Sequence, residues 1–399
     1  MCIEVDAKDE YGAMIMKVKI YFPDILYYIA VLLTAISSTL IGSTYLFLIP
    51  NFNPIVKYGA LFFFCLYFLA IKWNKPDFVG AIFIIIITFL CATLIDNTTV
   101  LLYFLMIILA GNQNFNKICK VLFVTNLLLI FLITMLCFAG VLNDNVVVEG
   151  DRIAHSMGFA YYSTLAYYSL FLFISGYYLI SGTRKEAKKL LWLLTGFLFN
   201  IIIFKITTVR LAFICVCFFV TLAIFIDLFN LLKFFKLNLF IATVMYPFMF
   251  FLSIVLPFVY TKSNILIILD GLLNGRLNFG RIAFQRYDIT LFGQLIVTDP
   301  GGLDENGLNT YFFIDSGYVN LLLQKGLIVC ILVLLLYTLI SRYAVKTNNR
   351  SLFIWCIIVC IFSFVNDLIL NTIINPLLII APIIFLQRKE AYSVKVDTC

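Results

Sequence analysis

Residues 120–142 read "KVLFVTNLLLIFLITMLCFAGVL". After Lys120 no charged residue interrupts the run. Its apolar residues are continuous, not alternating, so the run predicts a helix and not a β-barrel strand. About 20 apolar residues in a helix cross a hydrocarbon core of ~30 Å. Similar runs recur along the chain. They give 12 candidate spans, at 25–48, 58–71, 78–95, 98–111, 120–142, 158–180, 190–207, 211–229, 238–260, 315–341, 351–371 and 375–386. The fourth and twelfth are short for a full crossing.

Composition agrees. The chain has 399 residues, 63% hydrophobic and 12% charged, with mean hydropathy +1.06. A soluble domain averages about 25% charged residues. The expectation is an all-α polytopic integral membrane protein, one transmembrane domain over 1–399. The N-terminal segment "MCIEVDAKDEYGAM" is acidic and polar, unlike the basic start of a cleaved signal peptide. The 11 cysteines lie in or beside apolar runs and read as small buried residues, not as a disulfide framework. One histidine excludes a His-cluster metal site.

Lysine and arginine set the orientation. With the N-terminus in the cytoplasm, 19 of the 28 basic residues fall inside, eight fall outside and Lys325 falls within a span. Segment 1–24 and tail 387–399 are then cytoplasmic. Residues 143–157 form an external loop. Residues 261–314 form a large external loop between the ninth and tenth spans, with apolar stretches that predict short helices at the outer leaflet. Inside, lysine outnumbers arginine 15 to 4; outside, arginine leads 5 to 3. Membrane insertion does not distinguish the two cations, but recognition of a forked anion does.

The external polar residues fall in four stretches. In "GDRIAHSMGFAYYS", 150–163, Arg152 and His155 share a face if the stretch is helical. They anchor a helix end at the interface, or they bind an anion and pass a proton. In "FKITTVRLAF", 204–213, Arg210 snorkels to the interface or is drawn inward. In "FFIDSGYVNLLLQKG", 312–326, Asp315 caps a helix, or Asp315 and Tyr318 line a pocket. In "LNGRLNFGRIAFQRYDITLFGQ", 273–294, Arg276, Arg281 and Arg286 are spaced by five. Five residues turn a helix by ~500°, so the three diverge on one helix. Either Gly275 or Gly280 breaks it, or the cations have different partners. The stretch is a surface helix on lipid headgroups or a phosphate clamp. No P-loop, HExxH, GxSxG or paired CxxC is present, which leaves ATP hydrolysis and zinc chemistry without support.

These features together resemble the Wzy-type O-antigen and capsular polysaccharide polymerases. "RIAHSMGF" is similar to the family's external "R…LGF" element, and "TTVRLAF" to its "SR" element with Val209 in place of Ser. The 273–294 stretch looks like the "GR…" segment ending in an "FG" turn. "DSGYVNLLLQKGLI" looks like the "DN.Y…LL…G" entry to a span, with Ser316 in place of Asn.

The resemblance implies a multi-pass glycosyltransferase of the bacterial cytoplasmic membrane, with both termini inside. It would polymerise undecaprenyl-pyrophosphate-linked oligosaccharide repeat units into a capsule, exopolysaccharide or O-antigen at the outer face. No nucleotide, metal or other cofactor is implied, and no nucleic acid. Membrane lipids, a chain-length regulator and a flippase are the candidate partners. Arg152, Arg210, Arg276, Arg281, Arg286 and Tyr318 are the candidates for pyrophosphate or glycan binding. His155, Asp288 and Asp315 are the candidate bases. An O-antigen-ligase-like transferase and a lipid-linked-oligosaccharide transporter are the alternatives. A transporter would show internal repeats and broken midplane helices, and the sequence shows no repeat.

Overall fold

The computed structural model describes residues 2–8, 14–47, 51–149, 152–182, 186–228, 235–299 and 312–385. Helices account for 79% of the structure. In order they are α1 (Phe22–Ile41), α2 (Phe52–Ala70), α3 (Lys75–Leu94), α4 (Thr98–Ile108), α5 (Phe115–Phe138), α6 (Tyr162–Ser181) and α7 (Glu186–Thr207). Then come α8 (Arg210–Leu222), α9 (Phe235–Val259), α10 (Asn264–Leu272), α11 (Arg276–Arg286), α12 (Gly317–Leu323), α13 (Leu327–Lys346) and α14 (Arg350–Val365). Strands β1 (Cys2–Lys8) and β2 (Met14–Tyr21) pair antiparallel, as do β3 (Val147–Glu149) and β4 (Arg152–Ala154).

Among the described residues, nine helices are long and apolar enough to cross a membrane. Three further apolar helices, Thr98–Asn112, Arg350–Val365 and Pro376–Phe385, are shorter. The lipid-like exterior is visible in the side chains: Leu69 is 78% exposed and Phe138 72%. In water such a surface would aggregate. The interior instead holds aromatic residues with a polar tip, each given a partner. The hydroxyls of Tyr27, Tyr246 and Tyr337 donate to the carbonyls of Met106, Cys356 and Ile369. The Trp355 indole donates to Asn375 Oδ1 at 3.0 Å. A buried donor left unpaired would cost about 1–3 kcal/mol, so these bonds select one packing of the helices. The nine cysteines whose side chains are described, Cys65 through Cys360, form no disulfide among the described residues.

The α1–α2, α5–α6 and α7–α8 connections lie together. Hydrogen bonds tie those connections together. Thr44 N–H donates to Gly158 O, and Ala160 N–H to Gly42 O. His155 N–H donates to Ile206 O, and Leu327 N–H to Thr290 O. This is the loop end of the bundle.

The structure changes several expectations. The expected span 315–341 is two helices, because Gly326, at φ +89°, breaks it after Lys325. The break is locked from outside: a Cβ on Gly326 would lie 2.3 Å from Gly293 N. Helix α14 ends at Val365, and Leu368–Leu370 form only a 3-10 turn, so the expected span 351–371 stops early. Residues 152–154 are strand, not helix, and α6 begins at Tyr162. Arg152 and His155 therefore share no helix face. The polar N-terminal segment contains a hairpin that alternating apolar residues at 14–21 would have allowed. The tail 387–399 lies outside the described residues, as does part of the loop 261–314.

Candidate functional site

The three arginines of 273–294 lie on one helix, α11. Gly275, with φ +76°, separates it from α10, while Gly280 sits buried inside it. Asp270 caps the new helix from the preceding one: its Oδ1 accepts the N–H groups of Leu277 at 2.8 Å and Asn278 at 3.4 Å. Arg276 is the first helical residue, where the helix dipole disfavours a cation. Asp315 offsets this, with Oδ2 3.2 Å from Arg276 Nε. The Nε hydrogen is not aimed at it, so the contact is an ion pair without a hydrogen bond. Nη1 donates to Leu273 O at 3.1 Å. Burial pushes the Asp315 carboxyl above its ordinary range, and Arg276 opposes this.

The five-residue spacing sends the other two arginines elsewhere. Arg286 lies over the Phe312 ring, 4.6 Å from its centroid, a cation–π contact and not the ion pair its neighbour Asp288 suggests. Asp288 is exposed. Arg281 has no acid or hydrogen-bond partner among the described residues and keeps its charge available.

Beneath Asp315 lies a set of ionisable groups at the breaks between apolar segments. Lys325 is 9% exposed, and its Nζ donates to Gln324 Oε1 at 2.7 Å. Burial lowers the Lys325 ammonium from its ordinary value, with Asp367 and Cys91 opposing. Asp367, just past α14, retains some solvent contact by surface area, yet protein crowds its carboxyl. That desolvation, and then the Asp315 charge, push it up to about 6 against the pull of Lys325. Tyr167, on α6, faces Arg276, Asp315, Asn366 and Asp367. The buried Oγ atoms of Ser316 and Ser363 have no hydrogen-bond partner among the described residues.

A second polar centre is built on the β3–β4 hairpin. Arg152 donates from Nε to Thr208 Oγ1 at 2.6 Å and from Nη2 to Thr208 O at 3.1 Å. Its guanidinium lies 5.3 Å from the Tyr162 ring centroid. Thr208 turns the chain from α7 to α8 with φ +52°, and Arg210, exposed, opens α8 two residues later. Arg152 and Arg210 thus flank one turn. His155 Nδ1 is 2.7 Å from Asp144 Oδ2. Burial alone would raise the Asp144 carboxyl. Hydrogen bonds from His155, Met157 and Ser156, with the His155 charge, outweigh it and hold the group below its ordinary range.

Tyr162 and Tyr167 connect the two centres. They are five residues apart on α6, about 7.5 Å of rise and ~140° net rotation. The centres therefore flank the first turns of one helix.

Tyr318 is not with them. It is fully buried, and its hydroxyl donates to Cys360 O at 2.9 Å, so it ties α12 to α14. Asp315 does not cap α12 either: Ser316 holds that position, and no side chain caps it. Sequence reasoning missed Asp144, Asp270 and Asp367. The turn signal "EGD" between apolar pairs marks the hairpin that brings Asp144 to His155, but Asp367 carries no such signal. Among the described residues no group of three or more His, Cys, Asp or Glu is placed to hold a metal. Compared with known protein families, with curated proteins and with solved structures, the chain matches none.

Proposed function

We propose that this chain is a membrane glycosyltransferase that polymerises lipid-pyrophosphate-linked oligosaccharide repeat units, with the loop end at the outer face of a bacterial cytoplasmic membrane. In this reading twelve apolar segments cross the bilayer and both termini are cytoplasmic. The observation that carries it is the placement of cations at the loop end. Arg276 and Arg281 leave α11 in different directions, Arg281 without a partner among the described residues, while Arg152 and Arg210 flank the α7–α8 turn. Five of the external cations are arginines, the residue suited to forked anions.

The chemistry needs such a set. When the donor sugar departs, negative charge grows on the pyrophosphate. Two unit charges 4 Å apart interact by ~4 kcal/mol at an effective dielectric of 20. A positioned guanidinium therefore lowers the barrier by a few kcal/mol. A ligase of the same superfamily would use the same cations.

One observation bears on the transporter alternative. Broken helices and buried charges mark transport sites at the membrane midplane. Here α13 has 20 residues, about 30 Å of rise, long enough to span the core by itself. In this reading the break at Lys325 lies at the membrane boundary, which supports surface chemistry over midplane transport.

The test is purified protein in bilayers supplied with a lipid-linked repeat unit. Polymerisation gives a ladder of chain lengths, ligase activity gives transfer without a ladder, and transport gives neither. Arg276→Ala and Arg281→Ala are expected to remain in the membrane and lose long chains. Normal ladders from both would remove the pyrophosphate clamp.

A further inference from the structure

Asp144 divides its two carboxylate oxygens. Oδ1 accepts the N–H groups of Ser156 and Met157, each at 2.8 Å. Oδ2 meets His155 Nδ1 at 2.7 Å. The main chain of His155 is held as well, by its N–H on Ile206 O at 3.0 Å. The other ring nitrogen, Nε2, has no hydrogen-bond partner among the described residues, and the side chain is 43% exposed. A carboxylate only accepts hydrogen bonds. In the neutral imidazole the proton then belongs on Nδ1, and the Nε2 lone pair stays open.

We propose that Asp144 is a positioning residue that holds His155 as its Nδ1–H tautomer, and that Nε2 takes the proton of the attacking sugar hydroxyl. The substrate part rests on the polymerase reading; the tautomer does not. In the step, the acceptor O–H bond breaks and its proton moves to Nε2. The oxygen bonds to the anomeric carbon of the lipid-linked donor. The bond from that carbon to the pyrophosphate oxygen breaks, and its electron pair leaves with the lipid pyrophosphate. The imidazolium, stabilised by Asp144, returns the proton to water. No other reactant is required. The two rival acids are less suited: Asp315 is paired with Arg276, and Asp288 is exposed, its carboxylate without a partner among the described residues. Arg152, three residues before His155, donates to Thr208 and lies beside the Tyr162 ring.

The chain contains one histidine, so nitrogen-15 labelling of histidine gives a single imidazole whose tautomer can be read by NMR without any variant. Wild-type protein in nanodiscs is expected to carry the proton on Nδ1. In Asp144→Asn the amide oxygen keeps the Ser156 and Met157 N–H groups and the NH₂ faces the ring, so the proton moves to Nε2. Elongation of a lipid-linked repeat unit is then expected to fall about a hundredfold or more in kcat, with KM held, and His155→Gln to fall as far. A wild-type ring protonated on Nε2, or a ring unchanged in Asp144→Asn, overturns the dyad. A switched tautomer with normal elongation overturns the base role. Wild-type protein that never elongates the unit overturns the polymerase reading and the base role with it, while the NMR result still decides whether Asp144 holds the ring.

Discussion

The β3–β4 hairpin and the α11–α12 wall both carry arginines to the loop end, but different forces hold them. Hydrogen bonds to backbone groups and hydroxyls fix the hairpin: Arg152 on Thr208, Asp144 on Ser156 and Met157. Its ionisable groups remain partly open to solvent. Charge against charge fixes the wall, Arg276 on Asp315 over Lys325 and Asp367, in a drier setting. The same carboxyl chemistry therefore shifts in opposite directions, down at Asp144 and up at Asp315. A hydrogen-bonded carboxylate keeps its charge at little cost, whereas a desolvated one keeps it only through its partner.

The comparison breaks first at the backbone. A methyl group on Gly326 would strike Gly293 N at 2.3 Å and require a left-handed alanine. Gly326→Ala is expected to cost on the order of 3 kcal/mol or more and to unfold the wall before the hairpin. Thermal unfolding in detergent, with a fluorophore on each centre, measures this; simultaneous loss of both would merge the two regions into one unit.

Next in size is the ion pair. Asp315→Ala strands Arg276 in a partly buried position and is expected to cost about 2 kcal/mol, less than a fully buried pair because both groups keep solvent contact. An unchanged melting temperature would remove the pair from the account of the wall.

Acid distinguishes the centres more finely. Asp144 is lowered in the folded state, so its contribution is present above the unfolded pKa and is lost as pH falls through the folded value. Asp315 is raised, so the folded state binds its proton more tightly, and stability falls as pH rises from the ordinary carboxylate range to the raised value. Hydrogen exchange at the Ser156 amide, corrected for its intrinsic rate, is expected to lose protection only below the ordinary carboxylate range in wild type and to stay flat in Asp144→Asn. A wild-type profile as flat as the variant's would discount the carboxylate.

The smallest expected effect is Arg286→Lys, about 0.5–1 kcal/mol, through a weaker contact with the Phe312 ring. Elongation close to wild type would fit a structural Arg286; loss on the scale of Arg281→Ala would make it a ligand for the anion.

The helical class, the apolar segments and the clustering of arginines at 273–294 were legible in the sequence because each is a local property. Hydrophobic length sets a helix in a bilayer, and a five-residue spacing sets divergence on that helix. Arg276, Arg281 and Arg286 lie on one unbroken helix that begins after Gly275, and Arg276 and Arg286 meet different partners. Pairings across the chain were not legible. Asp144 meets His155 only because a hairpin folds back, and Arg276 meets Asp315 only because α11 packs beside α12. The break at Gly326 was hidden inside an apolar run, since its cause is the backbone of Gly293 pressed against it. What a residue is, and how often its type recurs, sets the elements. Which charge faces which is decided by contacts between residues far apart in the chain, and only the folded bundle brings those together.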